Sequence, residues 1–108
     1  MNDTMHALYE TVCRRKAEPQ EGSYTCYLFS QGMDKILKKV GEECAETIIA
    51  AKNGVAADTV GEVSDLIYHV MVMLVEAGIS VDDVLAELDR RSEKIGNLKQ
   101  MKTVDRNT

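Results

Sequence analysis

The chain has 108 residues, 44% of them hydrophobic and 29% charged, with a net charge of −5 at neutral pH. This is the composition of one soluble globular domain large enough to bury a core, and its acidic balance excludes general nucleic-acid binding, which needs a basic surface. One proline, one phenylalanine and four tyrosines speak against a β-sandwich or barrel, whereas the supply of Ala, Leu, Glu, Lys and Met favours helix.

Residues 3–16 read as a first helix, with Asp3 or Thr4 as its cap and Leu8 and Val12 one turn apart. Residues 17–22 (AEPQEG) form a break marked by Pro19 and Gly22. Residues 23–31 (SYTCYLFSQ) have strand-like aromatic content, but Ser23 can cap a helix and Gly32 can end one, so a short helix is expected. Residues 33–52 carry the helical period at Ile36, Leu37, Val40, Cys44 and Ile48. Asn53 and Gly54 stop that helix. Residues 56–77 make the next one, which begins with Asp58 in its first turn and ends at Gly78. Ser80 then caps a last helix that runs to about Lys94, with Asp82 and Asp83 in its first turn. The expectation is an all-α, antiparallel bundle of four to five helices in a single domain, residues 1–95. A polar tail, residues 96–108, is expected to be mobile.

The helix over 56–77 is unusual. From residue 66 to residue 75 only Tyr68 and His69 carry polar side-chain atoms. A helix apolar all round must be covered all round, which a chain this short is poorly able to do. A homodimer with this helix at its centre is therefore expected to complete the bundle. The run is too short to span a bilayer. No basic, apolar secretory leader opens the chain. Cys13, Cys26 and Cys44 form no CxxC pair and leave one odd. They read as reduced thiols packing as small hydrophobes in a cytoplasmic protein.

Four carboxylates carry the chemistry. Glu43 and Glu46 lie in VGEECAETIIA (residues 40–50), and Glu62 and Asp65 in VGEVSDLIYHVMVMLV (residues 60–75). Each pair is spaced i, i+3, so both acids leave the helix on one side. Glu43 shares a heptad line with Ile36 and Ala50, Asp65 shares one with Val72 and Ile79, and Glu62 precedes Leu66 by one turn. These acids border the buried stripe, where an unpaired carboxylate must find a cation or a proton. No Lys or Arg stands between Gly54 and Arg90. A divalent cation is the economical partner. The plainer alternative is a solvated helix face with Lys38–Glu42 and Lys39–Glu43 pairs. With no HExxH, no Glu-x-x-His and no Cys/His cluster, an all-carboxylate site suits Mg²⁺ or Mn²⁺. Mg²⁺ keeps waters and takes phosphate oxygens as its remaining ligands, so an activated water can attack phosphorus. Glu42 or one of the ligands would be the base, and the spacing leaves that choice open.

The succession ExxE then ExxD on consecutive helices resembles the all-α nucleoside-triphosphate pyrophosphohydrolase superfamily of MazG type. Residues 23–54 (SYTCYLFSQGMDKILKKVGEECAETIIAAKNG) and 65–91 (DLIYHVMVMLVEAGISVDDVLAELDRR) resemble the phosphoribosyl-ATP pyrophosphohydrolase family, and the likeness runs from about Leu8 to Arg91. The resemblance implies Mg²⁺-dependent hydrolysis of phosphoribosyl-ATP to phosphoribosyl-AMP and pyrophosphate, the second step of histidine biosynthesis. It implies metal ligands at Glu43, Glu46, Glu62 and Asp65, a catalytic role for Glu42 beside them, and substrate contacts from Lys35, Lys38, Lys39, Lys52 and Asn53. Cys26 and Cys44 depart from the small residues expected at those positions. Some relatives carry a fused cyclohydrolase. That activity is expected here on a separate chain. The competing functions are a housecleaning (d)NTP pyrophosphatase of the same superfamily and a non-catalytic helical dimerisation module.

Of the remaining residues, His69, one turn after Asp65, is either a ligand or proton shuttle, or a core histidine bonded to Asp65 or a partner chain. Tyr24, Tyr27 and Phe29 either stack on a purine or pack over the core. Met71 and Met73 read as core filler.

Overall fold

Loop residues and glycines cut the chain into five helices. These are α1 (Thr4–Ala17), α2 (Tyr24–Gln31), α3 (Met33–Asn53), α4 (Ala56–Ala77) and α5 (Val81–Ile95). The computed structural model describes residues 3–95, and no strand occurs among the described residues. The all-α expectation holds, and each helix falls within about one residue of the span read from the sequence. The expected mobile tail lies outside the described residues.

The stop signals work as their chemistry requires. Ser23 accepts the Cys26 N–H at 3.2 Å and starts α2. Gly32 alone separates α2 from α3, at φ 92° and ψ 179°, a backbone region that only glycine enters freely. Gly54 ends α3 in the left-handed conformation at φ 82°. Ser80 accepts the Asp82 N–H at 3.0 Å and starts α5. The start of α1 differs from expectation. Asp3 occupies the cap position, but its side chain makes no capping bond, and its carbonyl accepts from Ala7 at 2.9 Å.

The short connection through Gly54 and Val55 folds α3 and α4 into an antiparallel hairpin. Thr47 on α3 lies beside Glu62 on α4, and Glu43 beside Asp65. The core gathers Val12 of α1, Leu28 of α2, Ile36 of α3, Met71, Val72 and Leu74 of α4, and Val81 of α5. It therefore sits towards the α2 end of the hairpin. Side chains of α1 fasten it to the α4–α5 corner: Tyr9 donates to the Ile79 carbonyl at 2.7 Å, Lys16 pairs with Glu76 at 3.0 Å, and His6 pairs with Asp82 at 2.5 Å.

Residues 66–75, on which a dimer was expected to centre, are already largely covered within one chain, although Leu66, Ile67, Tyr68, Val70, Met73 and Val75 stay only partly buried. No residue from 66 to 76 is exposed, because α1, α2, α3 and the start of α5 cover that stretch within one chain. Exposed apolar side chains gather at the other end of the hairpin, with Leu37 on α3 and Leu88 on α5 also exposed elsewhere. Ile48 is 68% exposed, Ile49 59%, Val55 52% and Val60 66%.

Candidate metal centre

The hairpin brings the two acidic pairs together where the buried core gives way to open surface. One carboxylate oxygen from each of Glu43, Glu62 and Asp65 lies within 4.8 Å of the others. Glu43 is 6% exposed. Its Oε1 and the Oε1 of Glu62 are buried and have no hydrogen-bond partner. Burying an ionised carboxylate without a partner is strongly unfavourable, so these two atoms are the least satisfied groups among the described residues.

The electrostatics agree. The Glu62 carboxyl is pushed above its ordinary range, first by burial, then by a hydrogen bond to Glu46 and by the negative charges of Glu46, Glu43 and Asp65. Lys39 is the cation nearest by. Its Nζ stands 3.1 Å from Glu42 Oε1 and 4.0 Å from Glu43 Oε2. It holds the Glu42 carboxyl below the usual range, while its own ammonium is pushed up, mainly by the bond to Glu42. The sequence had suggested Lys38 for Glu42, but Lys39 makes that bond and Lys38 is exposed. Lys39 therefore neutralises Glu42 and one side of Glu43, and the group around Glu62 keeps its excess charge.

Thr47 ties the two helices beneath the acids. Its hydroxyl lies 2.8 Å from the Glu43 carbonyl and 3.3 Å from the Glu62 carbonyl. Beyond the acids, a cleft of about 520 Å³ opens towards the hairpin turn, lined by Glu46, Asn53, Asp58, Gly61, Glu62 and Asp65 among others. Glu46 thus faces Glu62 from the cleft and lies outside the three-carboxylate group. Asn53 lines the cleft, and Lys52 is exposed next to it. Lys35 lies on the opposite side, its Nζ 5.9 Å from the centre of the Tyr27 ring.

His69 takes the structural one of its two readings. It is 5% exposed, with Nδ1 2.8 Å from the Asp65 backbone carbonyl and Nε2 3.0 Å from the Tyr24 hydroxyl. Phe29 parts from the two tyrosines and packs against the core with Lys16 over its ring. Cys44 is exposed, and Cys26 lies near the Arg15 carbonyl at 3.3 Å and the Gln20 N–H at 3.2 Å, so both cysteine departures leave the acids untouched. The sequence reading missed Thr47 and Asp58. Both carry a positional signal, since Thr47 follows Glu43 by one turn and Asp58 precedes Glu62 by one turn.

The donor set is all oxygen, anionic, and short of protons and cations at two buried atoms. It fits a hard divalent cation.

The sequence profile of the phosphoribosyl-ATP pyrophosphohydrolase family matches residues 5–92. The chain belongs to this family. The likeness seen in residues 23–54 and 65–91 is thereby borne out. A phosphoribosyl-ATP pyrophosphatase from Limosilactobacillus fermentum is 53% identical over 95 residues, 88% of this chain and 90% of that one. One from Clostridium botulinum is 49% identical over 106 residues, 97% of this chain and 96% of that one. The histidine biosynthesis bifunctional protein HisIE of Caldanaerobacter subterraneus is 55% identical over 92 residues, 85% of this chain but 45% of that longer protein.

Proposed function

We propose that phosphoribosyl-ATP is hydrolysed over the Glu43, Glu62 and Asp65 group, which holds Mg²⁺ or Mn²⁺ with Glu46 as the fourth carboxylate at its rim. The activity itself, phosphoribosyl-ATP diphosphatase in histidine biosynthesis, is that of the family to which the chain belongs. The observation that carries the assignment of the site is the pair of buried, unpartnered oxygens, Oε1 of Glu43 and Oε1 of Glu62, facing Asp65.

The bound cation supplies positive charge to phosphate oxygens and makes water more acidic. Everything else falls to the chain. Lys35, Lys38 and Lys39 on α3 steady the phosphates as point charges. Glu42 fixes Lys39 beside Glu43 through the 3.1 Å bond. In that pairing Glu42 is a weak base, which argues against the general-base role for it. Glu46 opens onto the cleft and accepts the proton of the attacking water. The water oxygen bonds to phosphorus, the bridging P–O bond between the α- and β-phosphates breaks, and the products are phosphoribosyl-AMP and pyrophosphate. Asn53 offers its amide, and Lys52 its ammonium, to the substrate at the far end of the cleft.

The chain pairs with a second copy through the hairpin end. Support comes from the exposed Ile48, Val55 and Val60 and from an apolar groove of about 530 Å³ lined by Ala51, Ala56, Val60 and Val63. Among the described residues no helix is long and apolar enough to cross a membrane. A cytoplasmic location accords with a biosynthetic role.

Pyrophosphate release from phosphoribosyl-ATP, measured with and without Mg²⁺ beside a panel of dNTPs, tests this reading. Mg²⁺-dependent release with preference for phosphoribosyl-ATP is expected. Preference for dNTPs would replace the biosynthetic substrate with a housecleaning one. Equal release without divalent metal would remove the metal centre.

A further inference from the structure

Tyr24 and Tyr27 are spaced i, i+3 and leave α2 on one face. Their rings stack in an offset arrangement, with centroids 6.2 Å apart and planes inclined by 27°. Each residue is 45% exposed. The neighbouring aromatics are not available in the same way. Tyr68 is partly buried and bonded to Thr25, and Phe29 lies on another face of α2. The Tyr24–Tyr27 pair is therefore the one aromatic surface open to a ligand beside the acids, among the described residues.

The pair is held from beneath. A carbonyl only accepts hydrogen bonds, so the 2.8 Å contact with Asp65 places the proton of His69 on Nδ1. Its Nε2 then accepts from the Tyr24 hydroxyl at 3.0 Å. The buried imidazole also meets both tyrosine rings edge-on, Tyr24 at 5.7 Å and Tyr68 at 4.9 Å between centroids. One residue, Asp65, thus joins the acidic group through its carboxylate and anchors the aromatic pair through its carbonyl.

Cations flank the same surface. Lys35 Nζ stands 5.9 Å from the centre of the Tyr27 ring, an exposed cation–π contact that a stacking ligand can displace. Lys39 stands 3.1 Å from Glu42 and 4.0 Å from Glu43. Open aromatic faces bordered by lysines suit a planar base carrying phosphates.

We propose that the Tyr24–Tyr27 platform seats the purine ring of the nucleotide, with His69 as a positioning residue that fixes Tyr24. This rests on the hydrolase reading of the acidic group. The base stacks on the platform, Lys35 and Lys39 meet the phosphates, and the phosphate chain runs on to the carboxylates. The platform sets affinity for the base and leaves the bond-breaking step to the acids.

Calorimetric titration of AMP and of phosphoribosyl-AMP, in EDTA so that no metal takes part, tests the platform apart from turnover. Tyr24→Leu and Tyr27→Leu are each expected to weaken binding about 5- to 150-fold, the range for loss of one stacking contact. KM for phosphoribosyl-ATP rises by a similar factor, and kcat stays within about threefold. Tyr27→Phe keeps the ring and stays within about twofold of wild type. His69→Leu raises KM, and adding Tyr24→Phe to it changes nothing further, because the hydroxyl has already lost its acceptor. Circular dichroism melts establish that each variant is folded, and Tyr27→Phe serves as the rescue should a leucine variant melt early. Unchanged nucleotide affinity in both folded leucine variants, or no binding by wild type, overturns the proposal. Failure of the hydrolase reading shows separately, as absence of pyrophosphate release from phosphoribosyl-ATP by the wild-type chain.

Discussion

Glu62 on α4 and Glu87 on α5 are carboxylates in opposite company. Glu87 is half-buried at the surface and bonded by two arginines of its own helix, Arg90 Nε at 3.0 Å and Arg91 Nε at 2.9 Å, and its pKa is held down to about 2. Glu62 has a buried oxygen with no donor and three acids for neighbours, and its carboxyl is pushed up, first by burial. A complete surface pair of the first kind adds little to stability and asks for nothing more. An acid of the second kind calls for a cation or a proton. What sets Glu62 apart from Glu87 is the partner missing from its surroundings, not its residue type.

The contrast breaks most visibly on substitution. Glu62→Gln or Glu43→Gln should reduce Mg²⁺-dependent pyrophosphate release about 10³-fold, the scale of removing one preorganised electrostatic contact from a reaction centre. The metal-free variants should melt no earlier than wild type, because each change removes repulsion within the acidic group. A variant that melts far earlier would show instead that these acids hold the fold together.

A smaller effect comes from pH. Protons compete with the cation for Glu62, and its raised pKa moves that competition above the ordinary carboxylate value of 4.5. The apparent Mg²⁺ affinity should therefore begin to fall on acidification at a higher pH than for an unperturbed carboxylate. In Glu62→Gln this early loss should disappear from a metal titration repeated across pH. Stability of the metal-free fold runs the other way. With a raised folded pKa, the Glu62 contribution is complete below 4.5 and is lost as pH rises through the shifted value. For Glu87 the sign reverses, with its small contribution present above 4.5 and lost as pH falls through about 2.

The smallest effect is the control. Glu87→Gln should leave turnover and metal affinity within about twofold of wild type, as expected for a pair on a helix surface. A large loss on this change would erase the distinction between the two kinds of acid.

Much of this was legible in the sequence, because the signals are local. Ser23, Ser80, Gly54 and Gly78 stop or start helices by hydrogen bonds and backbone angles set within a few residues. The acidic pairs were visible because an i, i+3 spacing fixes which way two side chains point, whatever packs against them. The cover on residues 66–75 was not visible. It comes from α1, α2, α3 and the start of α5 together, through Val12, Leu28, Ile36 and Val81 packed in one cluster with Met71, Val72 and Leu74. Periodicity says that a helix must be covered but not by what, so the share that the chain's own helices cover could not be read from it. The Lys39–Glu42 bond was missed for a related reason. Both i, i+3 and i, i+4 spacings bring charges within reach, and side-chain rotamers choose between them. The sequence leaves the tyrosine pair with two readings because exposure, which sets it apart from Tyr68 and Phe29, depends on packing from other helices.

Glu43, Glu62 and Asp65 gather carboxylate oxygens in a group that fits a divalent cation. Calorimetric titration of Mn²⁺ and Mg²⁺ into the metal-free wild-type chain and into Glu62→Gln, without nucleotide, tests it most directly. Saturable binding by the wild type, weakened at least about tenfold in the variant, is expected. Equal binding by both chains, or none by the wild type, would contradict it.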